Sequence, residues 1–297
     1  MKLFKTSKGI IFENENENYL LQDHWDELIN RNNLFQYLYE RAKNEKRVDA
    51  EVCEMLKENF ILAPIGQQEV WAAGVTYLRS RDARMDESKD AGGADFYSKV
   101  YHAERPELFF KALPHRVAAH GEKVYIRKDS NWNVPEPELT LFINSNGLVQ
   151  GYTIGNDMSS RDIEGENPLY LPQAKTYERS AALGPCLFAS ENEIVTDTTI
   201  SISIKRNEEE VFKDSIQLNR MKRTFNELAG FLFRECEFKH GCFLMTGTGI
   251  VPPHDFTLQV NDVIDISIEG IGVLSNTVAY RKSKFQNQNS KKKPAPF

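Results

Sequence analysis

The sequence has few cysteines and no apolar run long enough to span a membrane. Its four cysteines are spread over 297 residues without a Cys-x-x-Cys pair. This spacing excludes a disulfide-stapled fold and a zinc knuckle, and it predicts reduced thiols. The N-terminus lacks the apolar core of a signal peptide, and no apolar run approaches the roughly 18 residues of a membrane span. We therefore expect a cytoplasmic protein with no membrane partner.

The sequence also has no excess of positive over negative charge. The 37 Lys and Arg residues face 43 Asp and Glu residues, and the formal net charge is −6. The chain thus lacks the basic surplus that attracts nucleic acid or anionic lipid. Its six histidines show no metal-ligand spacing. With 40% hydrophobic and 27% charged residues, the composition is that of an ordinary globular protein, and we expect no nucleic-acid partner.

The patterning of the chain changes near residue 65. Residues 1–65 mix strand-like runs with a helix predicted over 34–39, behind Asn33 as a candidate cap. Residues 66–297 are β-rich, with one predicted helix that carries an apolar stripe from Met221 to Leu232. The strands predicted there are 70–74, 123–126, 139–144, 149–154, 200–204, 256–260, 263–268 and 273–278. We expect a β-rich α/β protein with a small N-terminal α/β domain (1–65), a large β domain (66–297) and a solvated basic tail at 291–296.

Three carboxylates flank a predicted β-hairpin. An Asn-Gly pair at 146–147 separates two β-patterned runs, which is the signal for a two-residue type I′ turn. With that loop, paired residue numbers sum to 293, so Asp157 lies opposite Glu136 and Gly155 lies opposite Glu138. Residues two apart on a strand share a face. All three acids are therefore predicted to converge on one face.

This convergence has two interpretations. Opposed residues have Cβ atoms roughly 4.5–5.5 Å apart, and like charges at that distance destabilise a sheet. The acids either form an exposed acidic face or bind a hard divalent cation such as Mg²⁺, Mn²⁺ or Ca²⁺. Apolar flanking residues favour the cation site, whereas a one-residue slip in register would separate the acids. The residues alone leave both interpretations open.

The motifs around these acids resemble the fumarylacetoacetate hydrolase family. Glu-x-Glu stands at 136–138, and Gly-Asn-Asp-x-Ser-x-Arg-Asp stands at 155–162. Further matches stand at 106–111, 175, 183–185, 246–248 and 269–278. The resemblance spans about residues 65–280. It implies a mixed β-sandwich roll, Mg²⁺ (or Mn²⁺ or Ca²⁺) held by Glu136, Glu138 and Asp157, a small-molecule 2-keto acid substrate, and a homo-oligomer.

One departure from the family pattern bears on the reaction. Hydrolytic members carry a His and a Glu that activate water, whereas this chain has Ser80 and Ala83 in their places. The missing base argues against C–C hydrolysis. The segment 159–175 resembles the branch typified by 2-keto-3-deoxy-D-arabinonate dehydratase, which implies dehydration of a 2-keto-3-deoxy sugar acid to 2,5-dioxopentanoate. The alternatives are hydrolysis, decarboxylation or isomerisation at the same metal, and a non-catalytic binding protein.

The resemblance also implies roles for individual side chains. Elimination and resemblance together give Glu107 as the base that removes a C3 proton, in an aromatic-rich segment where desolvation would raise its pKa. An exposed loop glutamate is the alternative. Lys175 would orient a carboxylate or support the enolate. Candidate substrate-binding residues are Arg79, Ser80, Lys111, Arg161 and Thr248. For the two arginines, ion pairs with neighbouring aspartates are an equal alternative, and for Lys111 and Lys175 the alternative is a surface position.

Overall fold

The computed structural model describes residues 1–87 and 94–282, so the basic tail at 291–296 lies outside the described residues. The strands are β1 (Lys2–Thr6), β2 (Gly9–Asn14), β3 (Glu17–Leu21), β4 (Glu69–Gly74), β5 (Glu107–Ala112), β6 (Val117–Ala118), β7 (Lys123–Ile126), β8 (Asn133–Val134), β9 (Pro137–Ile143), β10 (Val149–Asp157), β11 (Ser159–Ser160), β12 (Ala181–Phe188), β13 (Thr199–Arg206), β14 (Glu209–Gln217), β15 (Cys242–Met245), β16 (Val263–Ile268) and β17 (Gly272–Tyr280). The helices are α1 (Trp25–Ile29), α2 (Leu34–Ala42), α3 (Ala50–Phe60), α4 (Leu78–Glu87), α5 (Ala94–His102), α6 (Arg161–Glu166), α7 (Leu171–Lys175) and α8 (Phe225–Leu232). Within the described ranges, no helix has both the length and the apolar character needed to cross a bilayer.

Two mixed sheets form a β-sandwich. The larger sheet has ten strands in the order β3-β2-β1-β12-β10-β9-β15-β4-β5, with β6 beside β12. The smaller sheet has the order β14-β13-β16-β17-β7. Its strands alternate buried isoleucines with more exposed residues, as in the 199–206 and 263–268 segments, and the isoleucines pack against the larger sheet. The predicted mixed β-sandwich is confirmed.

Strand β9 separates two apolar cores. Leu139, Leu141 and Ile143 belong to the core between the two sheets, whereas Phe142 belongs to a second core that includes residues of α1 and α2. Every residue of β9 is buried, because the strand is covered on both faces. The period of two places Glu138 on the same face as Phe142, away from the smaller sheet.

Residues 1–65 extend the larger sheet. Strand β1 runs antiparallel to β12, with Leu3 opposite Leu187. The predicted helix at 34–39 is confirmed as part of α2, although the Asn33 side chain makes no capping hydrogen bond. Instead the backbone N–H of Leu34 donates to Oε1 of Gln150 at 3.0 Å, which ties α2 to the 149–157 strand. The division of the chain into domains at residue 65 stays a prediction.

The predicted type I′ turn is wrong. The backbone N–H of Asn144 donates to the carbonyl of Leu148 at 2.9 Å, so the loop has three residues, 145–147. A type I′ turn needs positive φ at both central residues, and within this loop only Gly147 has it, at +77°. The side chain of Asn144 stabilises the longer loop, because its Oδ1 accepts from the N–H groups of Asn146 and Leu148 at 3.0 Å each.

The predicted register at the acids is nevertheless confirmed. Val149 pairs with Ile143 and Gly151 pairs with Phe142, so Gln150 is an extra residue in a β-bulge. The bulge cancels the one-residue change made by the longer loop. Beyond it, Gly155 lies opposite Glu138, and the N–H of Asp157 donates to the carbonyl of Glu136 at 3.0 Å.

Two further elements differ from expectation. The predicted helix through Met221 begins only at Phe225, because Thr224 and Glu227 form a capping box that starts α8 there. Met221 instead forms an isolated β-bridge with Tyr77. The strand predicted at 256–260 is wrong, since this segment has no strand structure. The other predicted strands correspond to observed ones within a few residues.

Candidate active site

Glu136, Glu138 and Asp157 form a buried carboxylate cluster. One oxygen from each can be chosen so that all three lie within 4.8 Å of one another, and each residue is at most 3% exposed. Gly155 lies on the same strand face as Asp157, and a Cβ there would lie 2.3 Å from Oγ1 of Thr140. Because the three acids are buried, the exposed acidic face considered from the sequence is ruled out. The acids converge as the register predicted.

Two buried lysine side chains form ion pairs with the carboxylates of Glu136 and Asp157. Nζ of Lys175 donates to Oε2 of Glu136 at 2.5 Å and to Oδ2 of Asp157 at 3.2 Å. Lys111 forms an ion pair with the other oxygen of Asp157. Nζ of Lys111 also donates to the carbonyls of Met158 at 2.9 Å and Lys175 at 2.6 Å. Neither lysine is on the surface, so that alternative is excluded for both.

The backbone explains how these lysines reach the cluster. Lys175 is the last residue of α7, and the side chain of Ser180 also donates to its carbonyl, at 2.8 Å. Lys111 occupies a β-bulge, because Trp71 pairs with Phe110 whereas Val70 pairs with Ala112. Burial lowers the pKa of the Lys111 ammonium to about 8, and the nearby Asp157 carboxylate opposes this shift.

Glu136 and Glu138 have opposite electrostatic environments. Burial favours the neutral form of Glu136, but Lys175, Arg161 and Arg84 outweigh it and hold the pKa of Glu136 below its usual range. Glu138 has no ion pair with any residue described, and it accepts one backbone hydrogen bond, from Gly247 at 2.6 Å. Burial, together with the neighbouring acids, raises its pKa well above the usual value.

These observations fit a hard divalent cation. Carboxylate oxygens are the ligands that Mg²⁺ and Ca²⁺ prefer, and the cluster presents three carboxylates from two adjacent strands. Among the described residues no cationic side chain forms an ion pair with Glu138, so a bound cation would supply positive charge where this acid has least of it. The structure therefore contains a Glu/Glu/Asp cluster that can hold a metal ion.

Glu107 lies beside the carboxylate cluster at the start of β5. It pairs with Gly74, which lines the pocket above the three acids. Burial raises the pKa of Glu107, and the positive charges of Arg84 and Lys175 oppose that shift. A cavity of about 690 Å³ opens on the other side of Glu107, between α5 and the 167–169 turn.

The structure brings most of the predicted substrate-binding residues to this pocket, but not all. Ser80, Arg161 and Thr248 line it, and Nη2 of Arg161 donates to Oε1 of Glu136 at 2.8 Å. Arg79 is placed elsewhere. Its half-exposed guanidinium forms an ion pair with Asp214 at 2.7 Å, and the residue is not among those lining the pocket.

Sequence reasoning overlooked Arg84. Its guanidinium lies 3.5 Å from Glu136 and forms an ion pair with Glu164, which accepts a hydrogen bond from Ser159 at 2.8 Å. Arg84 follows Ser80 by four residues in α4, so both lie on one helix face. That spacing is a signal that could have identified it.

Together these features define the class of protein. A β-sandwich that contains a buried Glu/Glu/Asp cluster able to hold a metal ion, buried lysines and arginines around it and an adjoining cavity has the features of a metal-dependent enzyme. Residues 70–279 match the family model described as "Fumarylacetoacetate (FAA) hydrolase C-terminal". The chain belongs to the fumarylacetoacetate hydrolase family.

Two sequence relatives and one solved structure have named activities. The chain is 43% identical over 241 residues to a "Probable 2-keto-3-deoxyxylonate dehydratase" of Haloferax volcanii. This match covers 80% of this chain and 82% of the relative. It is 42% identical over 225 residues to a "2-dehydro-3-deoxy-D-arabinonate dehydratase" of Saccharolobus solfataricus, with 75% of each chain covered. A 2-keto-3-deoxy-D-arabinonate dehydratase complexed with magnesium and 2,5-dioxopentanoate superposes with a TM-score of 0.81 at 34% identity, over 95% of this chain and 100% of that one.

Proposed function

We propose that this protein is a Mg²⁺-dependent dehydratase that converts 2-keto-3-deoxy-D-arabinonate to 2,5-dioxopentanoate. The observation that carries the proposal is the buried cluster of Glu136, Glu138 and Asp157 with Glu107 beside it. The relatives named above act on 2-keto-3-deoxy sugar acids of this type. A 2-keto-3-deoxypentonate keeps C4 as its single stereocentre. The 2-keto-3-deoxy derivatives of D-arabinonate and D-xylonate are therefore the same compound.

Glu136, Glu138 and Asp157 are the residues that would hold the cation. When bound there, Mg²⁺ supplies Lewis-acid polarisation of the substrate's keto group, which makes the C3 hydrogens more acidic. Lys175 is a positioning residue in this scheme, because its ammonium holds one oxygen each of Glu136 and Asp157. Lys111 does the same for the second oxygen of Asp157.

Glu107 is the proposed base. Its raised pKa brings it closer to that of a base suited to neutral pH, and it lies at the junction of the metal pocket and the larger cavity. In the proposed reaction Glu107 takes a C3 proton, the C3–C4 double bond forms as the C4–O bond breaks, and the leaving hydroxyl takes up one proton and departs as water. The unsaturated product then tautomerises: a C5 hydrogen moves as a proton to C3, which gives a C4–C5 enol, and the enol loses its hydroxyl proton and gains one at C4, which leaves the C5 aldehyde of 2,5-dioxopentanoate.

Ser80, Arg161 and Thr248 are proposed to contact the substrate, because all three line the pocket above the carboxylates. The planar guanidinium of Arg161 suits a carboxylate or hydroxyl group, and its hydrogen bond from Nη2 to Glu136 fixes it beside the pocket. Arg79 stays a proposed substrate contact only if its guanidinium leaves Asp214, since the residue is ion-paired there and does not line the pocket.

The alternative is another reaction at the same metal, namely acylpyruvate hydrolysis, decarboxylation or isomerisation. Hydrolysis needs a base that activates water, and no histidine is among the described residues that line the pocket. Ser80 occupies the place of the hydrolases' histidine, and its Oγ donates to the carbonyl of Tyr77 at 2.8 Å. A serine hydroxyl in that role cannot replace the imidazole, so dehydration is the better supported reaction.

A substrate screen tests the proposal directly. The purified protein with Mg²⁺ is incubated with 2-keto-3-deoxy sugar acids and, separately, with acylpyruvates. We expect a semialdehyde product from the sugar acids and no C–C cleavage of acylpyruvates. Cleavage of an acylpyruvate without any dehydration would overturn the proposal in favour of the hydrolase alternative.

The proposal includes a cytoplasmic location and a homo-oligomer of at least two copies. All four cysteines lie in the described parts of the chain as free thiols, three of them buried, in keeping with a reducing compartment. The oligomer rests on the family resemblance alone. Light scattering at micromolar concentration should return a mass of at least twice 34.1 kDa, and a monomer mass would refute the oligomer.

A further inference from the structure

One buried arginine connects α8 to the segment that leads into the proposed base. Nη2 of Arg223 donates to the carbonyls of Ala103 at 2.7 Å and Val100 at 3.3 Å. Nη1 of Arg223 donates to the carbonyl of Glu104 at 2.9 Å. The last carbonyls of a helix have no partner within the helix, and positive charge near them is favourable. Arg223 therefore fixes the C-terminal end of α5 and the residues that follow it.

Arg223 is itself held on several sides. It is only 6% exposed, and Nη1 forms an ion pair with Glu227 at 2.5 Å. Its neighbour Lys222 donates through the backbone N–H to the carbonyl of Thr76 at 2.9 Å, and through Nζ to the carbonyl of Tyr101. The segment 221–223 is thus anchored to the residues before α4 as well as to α5.

The anchored segment leads directly to Glu107. Glu104 lies three residues before it, and Arg105 and Pro106 between them line the same cavity as Glu107. Strand β5 is at the edge of the larger sheet, and among the described strands only β4 pairs with it. One strand ladder and the Arg223 contacts therefore fix the course of the backbone into Glu107.

We propose that Arg223 is a positioning residue for the proton-removing carboxylate of Glu107. This inference rests on the proposed function, in which Glu107 is the base. Arg223 does not line the pocket above the carboxylate cluster, so it acts through the backbone at 100–104. Its loss should displace Glu107 while leaving the cation site at Glu136, Glu138 and Asp157 intact.

The test compares Arg223→Ala and Arg223→Lys with a control, Arg206→Ala. Arg206 likewise donates to a carboxylate, Asp262, and to a backbone carbonyl, that of Thr257, but neither it nor these partners line the pocket. The measurements are kcat, KM, Mg²⁺ affinity by calorimetry, and amide hydrogen exchange of residues 99–107.

For Arg223→Ala we expect kcat to fall about 10- to 100-fold, because small misplacements of a reacting group have effects of this size. KM and Mg²⁺ affinity should stay within about threefold, since Arg223 contacts neither the pocket nor the acids. Exchange of 99–107 should become faster. Arg223→Lys keeps the charge without the fork, so it should restore part of kcat. The control should lose stability but keep kcat.

Several results would overturn the inference. One is a kcat of Arg223→Ala within twofold of wild type, and another is a fall in kcat matched by Arg206→Ala. Unchanged exchange of 99–107 would overturn the anchoring itself, and that measurement needs no substrate. It therefore separates failure of this inference from failure of the proposed function, which would show as an inactive wild type. If Arg223→Ala does not fold, Glu227→Gln, which weakens the ion pair that holds Arg223, is judged by the same criteria.

Discussion

Gly74 lies directly against the carboxylate of Glu107. The two residues are paired across β4 and β5, and a Cβ at position 74 would lie 2.1 Å from Oε2 of Glu107. No Cβ can occupy that position without displacing the carboxylate. The glycine at this point in the sequence is therefore explained by the proximity of an acid, and not by an unusual backbone angle.

Gly74→Ala is expected to reduce turnover by moving Glu107, while the three metal-binding acids keep their places. Misplacement of a reacting carboxylate by about 1 Å can lower kcat about 100-fold. The measurement is kcat beside Mg²⁺ affinity, with Gly230→Ala as the control, since a Cβ at Gly230 meets nothing within 4 Å. Normal turnover in Gly74→Ala would show that the position of Glu107 does not matter.

Glu107→Gln is expected to lower turnover about 10²- to 10⁴-fold, the usual effect of losing a positioned base. Mg²⁺ binding should stay unchanged. Exchange of the substrate's C3 hydrogens with deuterated solvent should be abolished, because that exchange requires only proton removal. Glu104→Gln, an exposed carboxylate three residues earlier, is the control. If C3 exchange persists in Glu107→Gln, another base is at work, and Glu164 and Glu166 would be tested next.

The Glu107→Gln variant should also be more stable than wild type at neutral pH. Burial raises the pKa of Glu107 in the folded state, so folding favours its protonated form. The stabilising effect is complete below the ordinary carboxyl pKa and is lost as pH rises through the raised value. Because Gln cannot ionise, the Tm of Glu107→Gln minus that of wild type should increase with pH across this window. Thermal melts from pH 4 to pH 8 measure it, and a pH-independent difference would contradict the assignment.

Removal of divalent cations should lower thermal stability. A ligand present at 100 times its Kd stabilises the folded state by about 2.7 kcal/mol, and chelation removes that contribution. Glu138→Gln should abolish the Mg²⁺-dependent rise in Tm, because it removes the acid that has no cationic side-chain partner among the described residues. Glu58→Gln, an exposed helical position, should retain the full Mg²⁺ effect. An equal Mg²⁺ response in both variants would place the cation elsewhere.

Lys175→Met should impair both turnover and Mg²⁺ affinity, in contrast to Glu107→Gln. The substitution removes the ammonium that holds Glu136 and Asp157, and loss of one partner from a buried ion pair destabilises by about 3–5 kcal/mol. Denaturant unfolding with and without Mg²⁺ measures the losses of stability and of Mg²⁺ affinity, and kinetics measure the loss of turnover. Unchanged Mg²⁺ affinity would show that Lys175 does not position the ligands.

The convergence of the three acids was predicted from strand alternation and hairpin pairing, which are local properties, and the structure confirms it. The sequence was not sufficient for the turn. Asn144 forms its own hydrogen bonds to the loop, and its Nδ2 donates to the carbonyl of Arg31 at 3.0 Å, a contact with a distant part of the chain. The correct register at Asp157 followed from two errors that cancel, a longer loop and an unpredicted bulge.

The cations around the cluster were harder to predict than the acids. Lys111 was identified as a candidate substrate contact, but its bulge in β5 depends on pairing with β4 and cannot be derived from a lysine in an aromatic run. Helices α4 and α5 were not predicted at all. Helix α4 has few apolar residues, so it shows no hydrophobic stripe, and its Arg84 therefore received no role.

The loop and bulge of the hairpin also determine how this segment can change during evolution. Gln150 is unpaired, so its deletion would make Val149 and Gly151 consecutive in the ladder and leave Gly155 opposite Glu138. A change in length at the loop or at Gln150 therefore alters the sequence spacing between Glu138 and Asp157 without altering their pairing in the sheet. Counting residues from the turn would misplace Asp157 in a relative that lacks the bulge, so the three acids are better matched between relatives by strand pairing.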